Sequence, residues 1–253
     1  MKKLAIFILL AATVACKKEY KSVYNFDVKT NKAKVKFVHA LVNAYPLPDT
    51  AAQAGLQLYL NGKKLTGATD MTYGGGVFPS LEYTLVPAGN NTLKAVIPAV
   101  SNRPEIPVLD APFTLADQKT YTAFITDSLP NSSVLLIEEN FSPVADSGKY
   151  FVRLVNLMSN VPGIDLYGTS DLATIVSNIP YKGVSDFKQV LVGSGARSFA
   201  VRITGFTTIQ ATVSITPVVG RMYTVFAYGV MGKGGTRAPK ATFYTSRFQT
   251  YEF

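Results

Sequence analysis

Along Lys34-Val35-Lys36-Phe37-Val38-His39-Ala40, apolar and polar positions partly alternate, which is the period of a strand. Leu56-Gln57-Leu58-Tyr59-Leu60 alternates cleanly and runs into Asn61-Gly62, a dipeptide suited to the two left-handed positions of a tight hairpin turn. Further strands are predicted over Leu81 to Val86, Thr92 to Ile97, Lys119 to Thr126 and Ser133 to Ile137, the first of them closed by Pro87-Ala88-Gly89-Asn90-Asn91. Short strands divided by Gly, Pro and Asn turns, with no amphipathic helix between them, predict an all-β chain.

The second half repeats this plan. Residues 34–43 align with residues 150–160, so that Lys36-Phe37-Val38-His39 falls on Arg153-Leu154-Val155-Asn156. Leu58-Tyr59 recurs as Leu166-Tyr167, Gly89 as Gly195, and Thr92-Leu93 as Ser198-Phe199. The best anchor sets Lys119-Thr120-Tyr121-Thr122-Ala123-Phe124 against Arg221-Met222-Tyr223-Thr224-Val225-Phe226. A period of roughly 105 residues is far too long for a solenoid and points to a duplicated domain. The expected division is a first β-sandwich over residues 34–144 and a second over 149–253, both antiparallel, joined by the turn-rich Ser142 to Gly148. A single larger barrel or sandwich is the alternative.

The N-terminus changes where such a chain would work. Lys2 and Lys3 precede an apolar run from Leu4 to Val14 and the small-residue junction Ala15-Cys16, the layout of an export signal over residues 1–15. That run falls short of the roughly 20 residues a helical span needs. Cys16 is the only cysteine. A free thiol suits an oxidising exterior poorly, whereas a thioether-linked lipid uses it. Thr13-Val14-Ala15-Cys16 resembles the bacterial lipobox, with Thr13 in place of the usual leucine. The resemblance implies a diacylglyceryl group and an amide-linked chain such as palmitate on Cys16, an effectively permanent anchor. Plain secretory cleavage at Ala15 is the alternative. Lys17-Lys18-Glu19 resembles the signal that sends Bacteroidetes-type lipoproteins to the outer face of the outer membrane, and residues 16–33 read as a polar tether.

Charge sharpens the partner classes. The formal net charge is +9, and the excess is uneven: residues 16–148 hold twelve basic against twelve acidic residues, residues 149–253 eleven against four. The basic residues are scattered singly along strands rather than gathered on a recognition element, and export removes nucleic acid as a target. Acidic lipid headgroups or anionic glycans fit better, and a solvated basic face is the plainest reading.

The chain resembles a bacterial family known as domain of unknown function 4397. The residues that carry the resemblance are Val38-His39-Ala40, Leu58-Tyr59-Leu60-Asn61-Gly62, Tyr73-Gly74, Leu85-Val86-Pro87-Ala88-Gly89 and Tyr121-Thr122, then Val155-Asn156, Pro162-Gly163-Ile164-Asp165-Leu166-Tyr167 and Tyr223-Thr224. The resemblance implies secreted or lipid-anchored proteins, often with tandem domains of immunoglobulin-like or transthyretin-like form. It brings no established activity. The family's His-Ala-Ser-Pro-Asp-Ala turn reads His39-Ala40-Leu41-Val42-Asn43-Ala44 here, so the aspartate of that turn is missing.

Candidate chemistry is sparse, and no catalytic, cofactor-binding or metal-binding residue is expected. His39 is the only histidine and has no nucleophile beside it in sequence; it is expected to be structural, bonded to a loop carbonyl. Glu138-Glu139 follow a strand, point to opposite faces and read as solvent or rim positions. Asp146 and Asp165 stand too far apart for a calcium loop. Gly74-Gly75-Gly76 reads as a loose turn, and Gly232-Lys233-Gly234-Gly235-Thr236 as a hairpin loop with Lys233, Arg237 and Lys240 as a basic tip. Tyr45, Tyr73 and Tyr83 remain as aromatic platforms for a sugar, although the chain has no tryptophan. Asp49-Thr50-Ala51 and Asp127-Ser128-Leu129 resemble short O-glycosylation acceptor motifs of Bacteroidetes exports.

Between His39 and Leu58 the first half has nine more residues than the second has between Asn156 and Leu166. The extra length carries Tyr45, Pro46, Leu47 and Pro48, and its prolines lower the cost of ordering the loop around a partner. Tyr45 and Leu47 are therefore candidate partner contacts, with Lys233, Arg237 and Lys240 as a rival site. The expected function is a non-enzymatic cell-envelope lipoprotein: a surface spacer, adhesion or assembly module that holds its far domain away from the membrane. A glycan- or peptide-binding accessory is the second reading. An uncharacterised hydrolase is the third, and it would need polar side chains converging from strands distant in sequence.

Overall fold

The computed structural model describes residues 31–42, 55–72, 74–100 and 103–248. The first half contains β1 (Lys32–His39), β2 (Gln57–Leu60), β3 (Lys63–Lys64), β4 (Val77–Phe78), β5 (Thr84–Pro87), β6 (Gly89–Ile97), β7 (Ile106–Leu115), β8 (Thr120–Thr126) and β9 (Ser133–Glu138). The second contains β10 (Lys149–Ser159), β11 (Ile164–Gly168), β12 (Ala173–Ile179), β13 (Lys188–Leu191), β14 (Arg197–Ile203), β15 (Ile209–Ile215), β16 (Met222–Val230) and β17 (Lys240–Arg247). The fold is all-β and built of sandwiches, as the alternation predicts.

Each half has one sheet of order β3-β2-β6-β7 or β12-β11-β14-β15, and one of order β4-β1-β8-β9 or β13-β10-β16-β17, with β5 also paired to β1. Asn61 and Gly62 take φ of 50° and 78° and turn β2 into β3, the left-handed pair that this dipeptide supplies. One pairing in each half departs from the antiparallel expectation: β1 runs parallel to β8, with Val35 opposite Tyr121, and β10 runs parallel to β16, with Val152 opposite Tyr223. Strands distant in sequence can pair in the same direction because a long connection lies between them.

Residues that align in sequence do corresponding work. The Tyr121 hydroxyl accepts from the Ala116 N–H at 3.2 Å, and the Tyr223 hydroxyl accepts from the Val218 N–H at 3.1 Å, each tying the start of a strand to the backbone just before it. Inside the first sandwich, Val35, Phe37, Leu58, Leu93, Ala123 and Ile125 are among the buried core. Inside the second, Val152, Leu154, Leu166, Phe199, Val201 and Val225 are among theirs.

A third apolar cluster joins the halves. Val38, Ala40 and Phe124 meet Val155, Leu157, Phe226, Tyr228 and Tyr244. In β8 every residue from Tyr121 to Thr126 is buried, and in β16 every residue from Met222 to Gly229. One face of each strand packs on its own sandwich, and the other packs on the opposite half. Phe124 and Phe226, which align in sequence, touch edge to face at 5.5 Å between centroids. Like residues meeting like residues is the layout of a twofold interface, here made within one chain. The halves are thus packed face to face rather than strung out along a linker.

Candidate functional site

At the centre of the seam the alternation of β1 and β10 turns Lys36 and Arg153 towards the opposite half, and both are buried. Glu139, just beyond β9, lies between the halves with its side chain fully enclosed and accepts from Arg153 at 2.6 Å. Its surface expectation is overturned: Glu138 does face solvent and pairs with Lys119, but the opposite face of this sheet is covered by the second half. The Thr122 hydroxyl donates to Glu139 at 2.6 Å and accepts from the Tyr244 hydroxyl at 3.2 Å. Arg153 Nε donates to Thr224, which also shares a 2.5 Å hydrogen bond with Ser246. Burial disfavours the guanidinium charge, yet the Glu139 carboxylate overcomes that and leaves the Arg153 pKa raised.

Lys36 has a poorer arrangement. Its ammonium donates to the Leu81 carbonyl at 2.7 Å and lies 4.8 Å from the centroid of Tyr83 and 5.6 Å from that of Tyr244. Burial lowers its pKa from 10.5 to about 8, against the pull of Glu82 and Glu139. Above pH 8 the unfolded chain therefore holds the proton that the folded chain has released, and folding gains stability as pH rises towards 10.5. Tyr83 and Tyr244, whose pKa values burial raises, work in the opposite direction once unfolded tyrosines ionise near pH 10. Urea titrations of the wild type and Lys36→Met between pH 7.5 and 9.5 are expected to show an upward slope in the wild type that the variant lacks. Parallel curves would mean that Lys36 is solvated.

Two sequence expectations are revised here, those for Gly74 and Tyr83. His39 is buried, and its Nδ1 accepts from the Leu41 N–H at 3.4 Å; Asn156 repeats the motif, with Oδ1 accepting from Met158 N–H at 2.9 Å. Both side chains hold the exit of a strand by bonding the amide two residues on. Gly74 is no loose turn, because its carbonyl accepts from the Tyr228 hydroxyl at 2.7 Å and an added Cβ would come within 2.9 Å of that oxygen. Tyr83 is not an open platform for a sugar: Lys36 lies over its ring, and Phe141 stands edge-on to it at 6.0 Å.

At one end of the seam lies a cleft of about 500 Å³. Two corresponding loops face each other across it. Residues 127–132 between β8 and β9 bring Asp127, Ser128 and Asn131, while residues 231–239 between β16 and β17 bring Lys233 and Arg237. Val42 and Ser159, which also align in sequence, add to the lining together with Tyr181 and Val230. Lys233 is exposed and Arg237 half-buried at the end of a 3₁₀ turn, Gly235–Arg237. Lys240 does not line the cleft; it begins β17, opposite Tyr228. Cys16, Tyr45, Leu47, Thr50 and Tyr73 lie outside the described residues, although Val42 places the start of the 42–55 loop at the cleft wall.

Asp127 clamps the halves beside the cleft. Its carboxylate accepts from Ser133 of its own half and from the Tyr181 hydroxyl of the other, and pairs with Lys182 at 2.8 Å. Burial alone would raise its pKa, but hydrogen bonds from Lys182, Ser133 and Tyr181 outweigh burial and hold it below the usual carboxylate value. Sequence reasoning missed this cluster because its members are 54 residues apart at the Tyr181 contact and share no motif. Among the described residues no group of three or more His, Asp or Glu gathers as metal ligands would.

Several solved structures are similar in architecture. A family 26 carbohydrate-binding module from Eubacterium rectale, solved with maltoheptaose, is 14% identical over 85% of this chain and 97% of its own, with a TM-score of 0.27. A structure of family 41 carbohydrate-binding modules from streptococcal virulence factors is 12% identical over 83% of this chain and 96% of that one, with a TM-score of 0.24. A candidate cell adhesion protein from Bacteroides fragilis is 10% identical over 88% and 100%, with a TM-score of 0.23. These likenesses assign the chain no ligand. No curated protein matches it in sequence. The family described as "Domain of unknown function (DUF4397)" matches residues 33–167, running through the connecting segment into β10 and β11. With more than half of its residues inside that match, the chain belongs to the DUF4397 family.

Proposed function

We propose that this protein is a non-enzymatic lipoprotein of the cell envelope, held to the outer membrane by lipid on Cys16, with two copies of one sandwich acting as a single adhesion or assembly unit. The lipobox-like Thr13 to Cys16 and the polar tether support the anchor. The observation that carries the binding role is the convergence at one cleft of two regions that are far apart in sequence. Val42, where the proline-bearing loop begins, and Lys233 and Arg237 of the basic loop line the same cavity. A partner seated there would touch both halves at once, on loops held by rigid sheets. Recognition of a glycan or peptide at this cleft is the second reading, favoured by its hydroxyl and amide lining at Ser128, Asn131 and Ser159.

Two variants in the producing cell test the two parts. Cys16→Ser is expected to release the protein from the membrane fraction; retention of a chain that mass spectrometry finds unacylated would remove the anchor from the proposal. Trimming residues 45–54 is expected to abolish crosslinking to a surface partner on intact cells while thermal unfolding hardly changes. Undiminished crosslinking would exclude the 45–54 loop as the partner site.

A further inference from the structure

We infer that the end of the molecule opposite the cleft rests on the membrane surface, through exposed aliphatic side chains on the turns of the second half. This rests on the proposal that lipid on Cys16 anchors the chain, and it adds which face meets the bilayer. The strands define the two ends. β1, β8, β10 and β16 finish beside the cleft, where Val42, Asp127, Ser159 and Val230 gather. At the other end, Lys34 and Thr120 near the starts of β1 and β8 meet Ser246 and Arg247 at the close of β17, around a separate pocket. The chain enters the fold at this second end. The Asn31 carbonyl accepts from the Ala88 N–H at 3.0 Å, and the Lys32 carbonyl from the Gln118 N–H at 2.8 Å. Fifteen peptide links join Cys16 to Asn31, so the entry point lies within about 50 Å of the lipid even on a fully extended chain. Anchoring at that range gives this end a high effective concentration at the bilayer, and a weak contact is then enough to orient the molecule.

The same end carries the apolar surface. Leu172, 78% exposed, lies on the turn between β11 and β12, and Leu191, 60% exposed, ends β13. Val218 and Val219 lie between β15 and β16, and Val144, 80% exposed, lies in the connecting segment. These segments form one tip. The Val192 N–H donates to the Gly148 carbonyl and the Gly220 N–H to the Lys149 carbonyl, both at 2.9 Å, while Arg197 at the start of β14 pairs with Asp171. Turns favour small and polar residues, so several large aliphatic side chains gathered on them in water mark a contact surface. Two acids beside these side chains are neutralised in ion pairs, Asp146 with Lys149 at 2.7 Å and Asp171 with Arg197, which limits repulsion from acidic headgroups. Val100, Phe206 and Ile209 are exposed at the cleft end, but on turns of different halves and away from the chain's entry point. With the tip on the bilayer, the cleft points outwards, where a surface partner can reach it.

The chain has no tryptophan and a single cysteine, which makes the test direct. The mature chain, residues 16–253, is coupled through its Cys16 thiol to maleimide phospholipid in vesicles of phosphatidylethanolamine and phosphatidylglycerol. It is then anchored whether or not cells acylate it. The single substitutions Leu172→Trp and Val219→Trp, with Phe206→Trp as control, report contact through quenching by lipids brominated on their acyl chains. Emission from the first two is expected to fall at least about twofold in brominated vesicles, as for side chains at the headgroup–acyl boundary, and that from the control to stay unchanged. Adding Leu191→Ser and Val218→Ser to the Leu172→Trp chain is expected to relieve most of its quenching at the same unfolding temperature. No quenching at residues 172 and 219, equal quenching at residue 206, or quenching indifferent to the two serine substitutions would each overturn the inference. If Cys16→Ser chains stay unacylated in the membrane fraction of cells while the coupled chain is quenched as expected, the contact face stands and the native anchor falls. If cells acylate Cys16 and the coupled chain is not quenched, the anchor stands and the contact face falls.

Discussion

Glu139→Ala is expected to lower the stability of the folded chain by about 3–5 kcal/mol, the cost of leaving a buried charge without its partner. The variant keeps the Arg153 guanidinium enclosed between the halves but removes the carboxylate that accepts from it at 2.6 Å and from Thr122 at the same distance. Glu138→Ala is the control from the adjacent residue. Glu138 pairs with Lys119 at 2.8 Å with both side chains about half exposed, and such pairs contribute roughly 0–1 kcal/mol. Urea midpoints at unchanged slope measure both losses. Replacing Arg153 and Glu139 together by Met is expected to recover much of the loss, because the desolvation cost of both ions disappears with them. Equal effects of the two alanine variants would show that Glu139 is solvated and that the halves do not close on it.

That the chain folds into strands and sandwiches was legible, the parallel pairings within the sheets were not, and how the halves meet was legible only in part. The hairpin at Asn61-Gly62 follows from local backbone preference, and the alignment of Lys119 to Phe124 with Arg221 to Phe226 places two tyrosines that form the same hydrogen bond. The near-continuous apolar runs Tyr150 to Met158 and Met222 to Gly229, broken by only a few polar residues, carried a further signal. A strand with one face in water alternates, whereas a run apolar on both faces must be covered on both. That signal pointed to an outer partner for β10 and β16, and the partner is the other half of the chain. In β1 and β8 the same face was hidden by polar residues, since Lys36 and Thr122 occupy it and are buried there, Lys36 bonded to the Leu81 carbonyl and Thr122 to Glu139. Polar identity masked burial there. The cleft was half legible: the basic loop and the proline-bearing loop each stood out, but the docking of the halves is what brings Val42, Lys233 and Arg237 to one cleft. Asp127, Tyr181 and Lys182 lay beyond sequence reasoning, because their bonds exist only when the halves are docked.

Phe226→Ala is expected to cost about 3–5 kcal/mol, the range for deleting a buried aromatic ring whose surroundings relax only in part. Phe226 is fully enclosed and touches Phe124 at 5.5 Å, Tyr228 at 5.8 Å and Tyr244 at 6.3 Å between centroids, so its loss opens a cavity in the apolar cluster that joins the halves. Phe124→Ala removes the corresponding ring and is expected to cost a similar amount. The two rings are in contact, so the double variant is expected to lose less than the two single losses combined, by about 0.5–1.5 kcal/mol for an edge-to-face pair. The consequence for cooperativity is larger than the sum. Each sandwich keeps its own core, and the shared cluster, with the network around Glu139 and the Asp127 clamp, obliges the two to unfold together. The wild type is expected to give one calorimetric transition, and the double variant two, with the connecting segment 142–148 becoming the first site of proteolysis. A wild type that already unfolds in two steps would mean that the seam does not hold the halves as one body. A cleft built across that seam could then not act as a preformed site.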